Sequence, residues 1–276
     1  MSSSFYATIA RYYDSEHHDK DEDFEFYENI ATAALAEDDA ILIIGSGTGR
    51  LALHLAAAGH AVHGIEIEPA MLERARRKLE NFPERARVTF HLGDALTLPL
   101  ERTFGMVIIP YNTLMHFLTL DDQRRVLTRA HDWLYPGGLL VIDLPNAGEA
   151  FAAPDTEAVT LERTFIDRET GHPVMQQSSS RLDRAEQRMY VTWIYDEIGP
   201  DGALKRTVVP VVIHYFFLRE IALLLEMSGF RIDAVMGDFD GAPYGDGAPR
   251  MLIIARRDDD DEEAVEPGSG GRPAGR

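Results

Sequence analysis

The chain has no cysteine among its 276 residues. That absence excludes a disulfide framework, thiolate metal sites and a cysteine nucleophile, and it fits a reducing compartment. Long apolar runs are missing too. The longest, Val208 to Leu218, contains Pro210 and His214 and falls well short of the ~20 residues a spanning helix needs. Met1 to Arg11 lacks a basic stretch followed by an apolar core, so no secretory signal is expected there. Positive charge is scarce: 27 Lys and Arg stand against 46 Asp and Glu, a formal net charge of −19. Seven acids and two arginines fall within Asp258 to Arg276, and the rest of the chain still carries −14. Such a body disfavours a bare electrostatic grip on nucleic acid or a membrane, and neither is expected as a partner. The expected setting is cytoplasmic.

What is present is an alternation. Ala40 to Ile44 is a short, continuously apolar run, as in a parallel strand covered on both faces. A helix over Arg50 to Ala58 closes at Gly59, a second strand runs from Ala61 to Ile65, and Pro69 opens a helix through Met71, Leu72, Ala75 and Leu79. Strands at 87–91, 106–109 and 139–143 and a helix at 121–135 continue the pattern, which means βαβ units and a parallel sheet. Phe24 to Ala36 reads as an amphipathic helix ahead of it. After Pro145 the pattern changes to strands at 160–167, 174–182, 187–198 and 205–217, separated by turn signals, as in an antiparallel insertion. A helix over 218–227 and strands at 231–236 and 251–255 close the chain. The expected division is an N-terminal lid segment (1–23), a core (24–154), the insertion (155–217), a closing part of the core (218–257) and a disordered acidic tail (258–276).

The strand Ile41 to Ile44 runs into Gly45-Ser46-Gly47-Thr48-Gly49 and then a helix. Glycines there permit positive φ and let a ligand approach bare backbone at a helix N-terminus. A dinucleotide loop has its third glycine five residues after the first; here it is four after, and no P-loop Lys-Ser/Thr follows. Glu66, 21 residues past Gly45, ends the second strand, where a carboxylate can accept both hydroxyls of a ribose.

The set Gly45–Gly49, Gly64-Ile-Glu66-Ile67-Glu-Pro-Ala-Met71, Gly93-Asp94-Ala95 and Leu134-Tyr-Pro-Gly-Gly138 resembles the class I S-adenosylmethionine (SAM)-dependent methyltransferases, of the small-molecule type that includes glycine and amino-sugar N-methyltransferases. The resemblance implies an α/β, Rossmann-like fold: a seven-stranded, mainly parallel sheet with helices on both faces and its last strand antiparallel. It implies SAM as cofactor and S-adenosylhomocysteine (SAH) as product. Gly45, Ser46, Gly47, Thr48 and Gly49 would line the methionine end, Glu66 would hold the ribose, Asp94 would meet the adenine amino group beside Ala95, and Ile67 and Met71 would pack on the ring. Two positions depart from the family: Ile43 stands where an acid is usual, and Ser46 where Cys or Gly is common.

Pro110, Tyr111 and Asn112 follow the fourth strand, a segment that in this family borders methyl donor and acceptor, and His116 is a candidate proton acceptor. Ala10 to Asp14 resembles the lid of small-molecule members, which implies Arg11 on the SAM carboxylate and Tyr12 or Tyr13 over the sulfonium. His17-His18-Asp19 reads as a solvated loop, and Gly237 to Gly241 lacks a full calcium loop, so no metal is expected. The expected function is methyl transfer to a small molecule, on nitrogen in preference to oxygen. The alternatives are O-methylation and non-catalytic SAM or SAH binding. The insertion is expected to form a lid or a homodimer surface.

Overall fold

A computed structural model describes residues 3–148 and 158–258; the expected acidic tail, from 259 on, lies outside the described residues. The first sheet contains β1 (Ala40–Ile44), β2 (Ala61–Glu66), β3 (Val88–Leu92), β4 (Phe104–Ile109), β5 (Leu134–Pro145), β10 (Phe230–Met236) and β11 (Arg250–Arg257), in the order β10-β11-β5-β4-β1-β2-β3. β1 to β5 pair in parallel, and β11 runs antiparallel between β5 and β10. The continuous apolar runs are explained by their two covered faces. Leu42 and Ile44 of β1, with Val107 and Ile109 of β4, bury on one side; Ile41, Ile43, Met106 and Ile108 bury on the other. The first side is covered by α5 (Leu120–Trp133) and α6 (Leu218–Met227), the second by α2 (Phe24–Ala34) and α3 (Arg50–Ala57). α4 (Pro69–Glu80) starts at the proline, with the Glu68 carboxylate accepting the Ala70 N–H as its cap.

The second sheet is the antiparallel insertion: β6 (Thr160–Ile166), β7 (Pro173–Asp183), β8 (Arg188–Ile198) and β9 (Leu204–His214) in sequential order. β9 stops three residues earlier than its apolar run suggests, because Tyr215 and Phe216 turn out of the sheet and bury in the core of the first. β5 is longer than expected, extending from Leu134 through Gly137, whose φ is 77°.

The inner face of the second sheet rests on α1 (Ser3–Glu16). Phe5, Ile9 and Tyr12 lie at i, i+4, i+7 and bury among Phe165, Val174, Val191, Tyr195, Val209 and Val211. Tyr12 stacks on Tyr195 with ring centroids 5.1 Å apart and planes 4° from parallel. Arg11 beside it pairs with Asp167 at 2.7 Å and Glu197 at 3.0 Å. Burial pushes the Asp167 carboxyl up, but hydrogen bonds from Arg11, the Glu169 N–H and Thr170 outweigh it and hold the group below its ordinary 3.8.

Arg11→Ala should therefore cost about 1–3 kcal/mol at neutral pH, discounted from the fully buried case because Arg11 is partly exposed. A carboxyl that titrates lower in the folded chain contributes fully above its unfolded value and loses that contribution as pH falls through the folded one. The gap between parent and variant in urea unfolding should thus close as pH drops below 3.8. A gap independent of pH would remove Asp167 from the account.

Candidate active site

The glycine loop turns on three positive φ angles: 74° at Gly45, 57° at Gly47 and 81° at Gly49. Each glycine also has a steric role. A Cβ on Gly45 would stand 2.5 Å from Thr113, one on Gly49 2.8 Å from Phe90, and one on Gly47 would project toward Met71 at 3.7 Å. Gly64 on β2 accommodates Ser46, whose side chain a Cβ would meet at 2.7 Å. The first and third glycines thus serve close packing, and the second keeps backbone bare.

Glu66 ends β2 and fastens the loop. Its carboxylate accepts the N–H of Gly47 at 2.7 Å on one oxygen and that of Glu68 at 2.9 Å on the other. Burial outweighs the backbone donors Glu68, Gly47 and Ile67, which favour the charged form, and holds this carboxyl above its ordinary value. A carboxylate offers about four acceptor sites, so capacity for a diol remains. The Gly93 N–H donates to the Glu66 carbonyl at 2.9 Å, which sets Asp94 beside it at the end of β3. Asp94 accepts the Leu96 N–H at 2.9 Å, and Ala95 is buried.

A cavity of about 310 Å³ opens from this loop. Gly45, Gly47, Glu66, Ile67, Glu68 and Met71 wall one end; Phe5, Leu118, Pro210, Val211 and Val212 wall the other; Tyr6, Tyr13, Tyr111, Thr113 and His116 lie between. Ser46, Thr48, Gly49, Asp94, Ala95, Pro110 and Asn112 stand near it but are not among its described walls. Thr48 faces α1, donating to Asp14 at 2.6 Å, and Lys78 bonds both. Arg11 and Tyr12 point to the second sheet, because their helical position shares the face of Phe5 and Ile9, whereas Tyr13 and Tyr6, seven residues apart, face the cavity.

The turn after β4 holds Tyr111 and Asn112 at φ 43° and 65°, a left-handed pair that costs of order 1–3 kcal/mol for each residue. Asp143 pins it: its carboxylate accepts the Tyr111 N–H at 3.0 Å and its carbonyl the Asn112 N–H at 3.0 Å. Arg250 on β11 clamps both partners, donating to Asp143 and, at 2.9 Å, to the Asn112 side chain. Tyr111 is thereby held against His17 at 3.1 Å, with Lys20 4.5 Å above its ring. Sequence reasoning did not single out Asp143, Arg250, Asp14, Lys78 or Tyr6, and His17, expected in a solvated loop, is instead buried against Tyr13 and Tyr111. The one local signal was an acid ending the otherwise apolar strand Leu139 to Ile142.

His116 bonds the Tyr6 hydroxyl at 2.8 Å. Burial lowers its imidazole to about 4 and raises the Tyr6 phenol well above its usual range, so both are neutral at physiological pH.

The strand order, the glycine loop with its bare second position and the spare acceptor capacity of Glu66 define a class I SAM-dependent methyltransferase, an enzyme class whose cofactor these residues fit. Within it, residues 41–138 match the family described as "Methyltransferase domain". It is 27% identical over 225 residues to a dTDP-4-amino-2,3,4,6-tetradeoxy-D-glucose N,N-dimethyltransferase of Saccharopolyspora spinosa, covering 79% of this chain and 80% of that protein. A dTDP-3-amino-3,4,6-trideoxy-alpha-D-glucopyranose N,N-dimethyltransferase of Streptomyces venezuelae is 23% identical, with 79% and 85% covered. The CcbJ methyltransferase of Streptomyces caelestis shares the fold at a TM-score of 0.75 and 23% identity, over 89% of this chain and 96% of that one.

Glu66→Ala should weaken SAH binding by about 10- to 150-fold, the loss of a charged acceptor worth ~1.5–3 kcal/mol. Asp94→Ala should do the same if that side chain meets the adenine. Calorimetric affinities equal to the parent's in both variants would place the cofactor elsewhere.

Proposed function

We propose that the enzyme methylates the nitrogen of a small-molecule amine, with Tyr6 and His116 receiving the amine. The observation that supports nitrogen over oxygen is the neutral Tyr6–His116 pair. Deprotonating a hydroxyl calls for a base poised near the working pH, and an imidazole lowered to about 4 is far too weak. A neutral amine already carries its nucleophilic lone pair and needs only an acceptor for its N–H. With the imidazole proton on Nδ1, the phenol donates to Nε2 and keeps its own lone pairs for that N–H. This replaces the proton-acceptor role expected of His116 with a positioning role toward Tyr6. Tyr6 itself meets the acceptor.

Bound SAM supplies a methyl group on a positively charged sulfur, already activated toward a nucleophile. Glu66 would hold its ribose, Asp94 its adenine edge, and Ile67 and Met71 the ring. Of Tyr12 and Tyr13, the two residues expected over the sulfonium, Tyr13 is the one that walls the cavity. The remaining cavity walls exclude water and orient the acceptor. The relatives support the reading: the two dimethyltransferases above are named for N-methylation of amino sugars, and an amino pentose methyltransferase of Micromonospora echinaspora shares the fold at a TM-score of 0.67.

In this reading segment 1–23 roofs the cofactor and the insertion at 155–217 shapes the acceptor end. The insertion's outer face carries Leu161, Ile166, Leu204 and Val208, each more than half exposed, as a homodimer surface would. Light scattering that finds a monomer at working concentration removes the dimer. A cytoplasmic setting accords with the cysteine-free composition.

Tyr6→Phe and His116→Ala should each lower kcat/KM about tenfold, the loss of one hydrogen bond, and not the 10²–10⁴-fold typical of a lost general base. In the parent, kcat/KM should rise with pH along the acceptor amine's own titration, with no step from an imidazole near 6.5, since burial has moved His116 to about 4. A His-like step that vanishes in His116→Ala would restore the general base and reopen the oxygen reading.

A further inference from the structure

The cavity's acceptor end differs chemically from what a nucleotide-linked substrate needs. Beyond Tyr6 and His116 its walls are Phe5, Leu118, Pro210, Val211 and Val212, and among the described lining residues there is no Lys or Arg. A nucleoside diphosphate carries charges that proteins meet with Arg, Lys or free backbone N–H groups. The adjoining cavity, on the far side of Tyr111, does contain cations, but each has a partner. Arg250 is held by Asp143 and Asn112, Lys20 by Glu22, and Arg163 donates to the Glu16 carbonyl. Glu16, Asp19, Glu22 and Glu162 line that same cavity and would repel a diphosphate.

From these walls we infer that the acceptor is an amine on an uncharged, largely apolar framework, not a nucleoside-diphosphate sugar. The inference rests on the N-methylation reading of this site and narrows its substrate class. The acidic body, at −19 for the whole chain, attracts such a molecule as its ammonium form. Transfer into the apolar end disfavours the charged form and lowers the amine's pKa, which delivers the free lone pair at Tyr6. The framework then lies against Phe5, Leu118 and the β9 residues Val211 and Val212, so the insertion selects acceptors by shape and apolar area.

The test is calorimetry on the full chain saturated with SAH, with two probes: 2-phenylethylamine and thymidine 5′-diphosphate. The amine should bind at least about tenfold more tightly than the diphosphate. Leu118→Arg, which places a cation at the apolar end, should weaken the amine by about tenfold or more and leave SAH affinity at the parent level, the latter confirming a folded cofactor site. Val212→Arg serves the same purpose if the first variant fails to bind SAH. Equal or tighter binding of the diphosphate overturns the inference, and so does an amine that fails to bind the SAH-loaded protein. Failure of the parent to bind SAH at all is a different result: it overturns the methyltransferase site itself.

Discussion

One helix fastened on two sides sets the shape of the active site. Arg11 and Asp14 of α1 are one turn apart, yet they answer to different sheets. Arg11 reaches Asp167 and Glu197 of the insertion, and Asp14 reaches Thr48 of the glycine loop and Lys78 of α4. Glu16 adds a third tie, accepting from Gln176 and Tyr195. Exposed ion pairs contribute little one at a time. Here they frame an apolar stripe, Phe5, Ile9 and Tyr12, that the second sheet covers, and the stripe supplies most of the stabilisation. The polar ties supply rotation and register. They turn Tyr6 and Tyr13 toward the cavity, and any opening along α1 must break the loop contact and the insertion contact together.

Burial, not charge, then sets the chemistry along the cavity. At the cofactor end burial pushes the Glu66 carboxyl up, and backbone donors from Gly47 and Glu68 hold back part of that rise. At the centre the Tyr6–His116 pair is buried without a charged partner of its own, and both groups are driven neutral. A site that binds a cationic cofactor and an amine benefits from this arrangement. Among the described lining residues the carboxylates, Glu66 and Glu68, stand at the loop end, and there is no Lys or Arg.

The sequence was most informative where function and local geometry coincide. A continuous apolar strand, a glycine turn that needs positive φ and an acid at a strand end are all local, so the first sheet, the loop and Glu66 could be read directly. The insertion was legible from alternation and turn residues. The lid was half legible. Arg11, Tyr12 and Tyr13 were expected to face the cofactor, but which way the helix turns depends on the sheet it meets, and Arg11 and Tyr12 lie on its packed side. The clamp on Tyr111 and Asn112 was not legible, because Asp143 and Arg250 are 107 residues apart and meet only when β11 inserts beside β5.

That clamp bears on the position where this chain departs from the family it resembles. Ile43, two residues before the first glycine, is buried in the same apolar cluster as Ile41, Tyr27 and Leu252. A carboxylate there would enter a surface that otherwise offers side-chain hydrocarbon and the Tyr27 hydroxyl, a buried donor with no partner among the described residues. Leaving such a donor unpaired costs about 1–3 kcal/mol. The strand end does not lack a carboxylate, however. Asp143, at the end of β5, is fully buried and held by Arg250, and it restrains the turn after β4 that brings Tyr111 to the cavity. Asp14 restrains the loop from the opposite side. The loop and the facing turn are therefore each positioned by an acid contributed from another element.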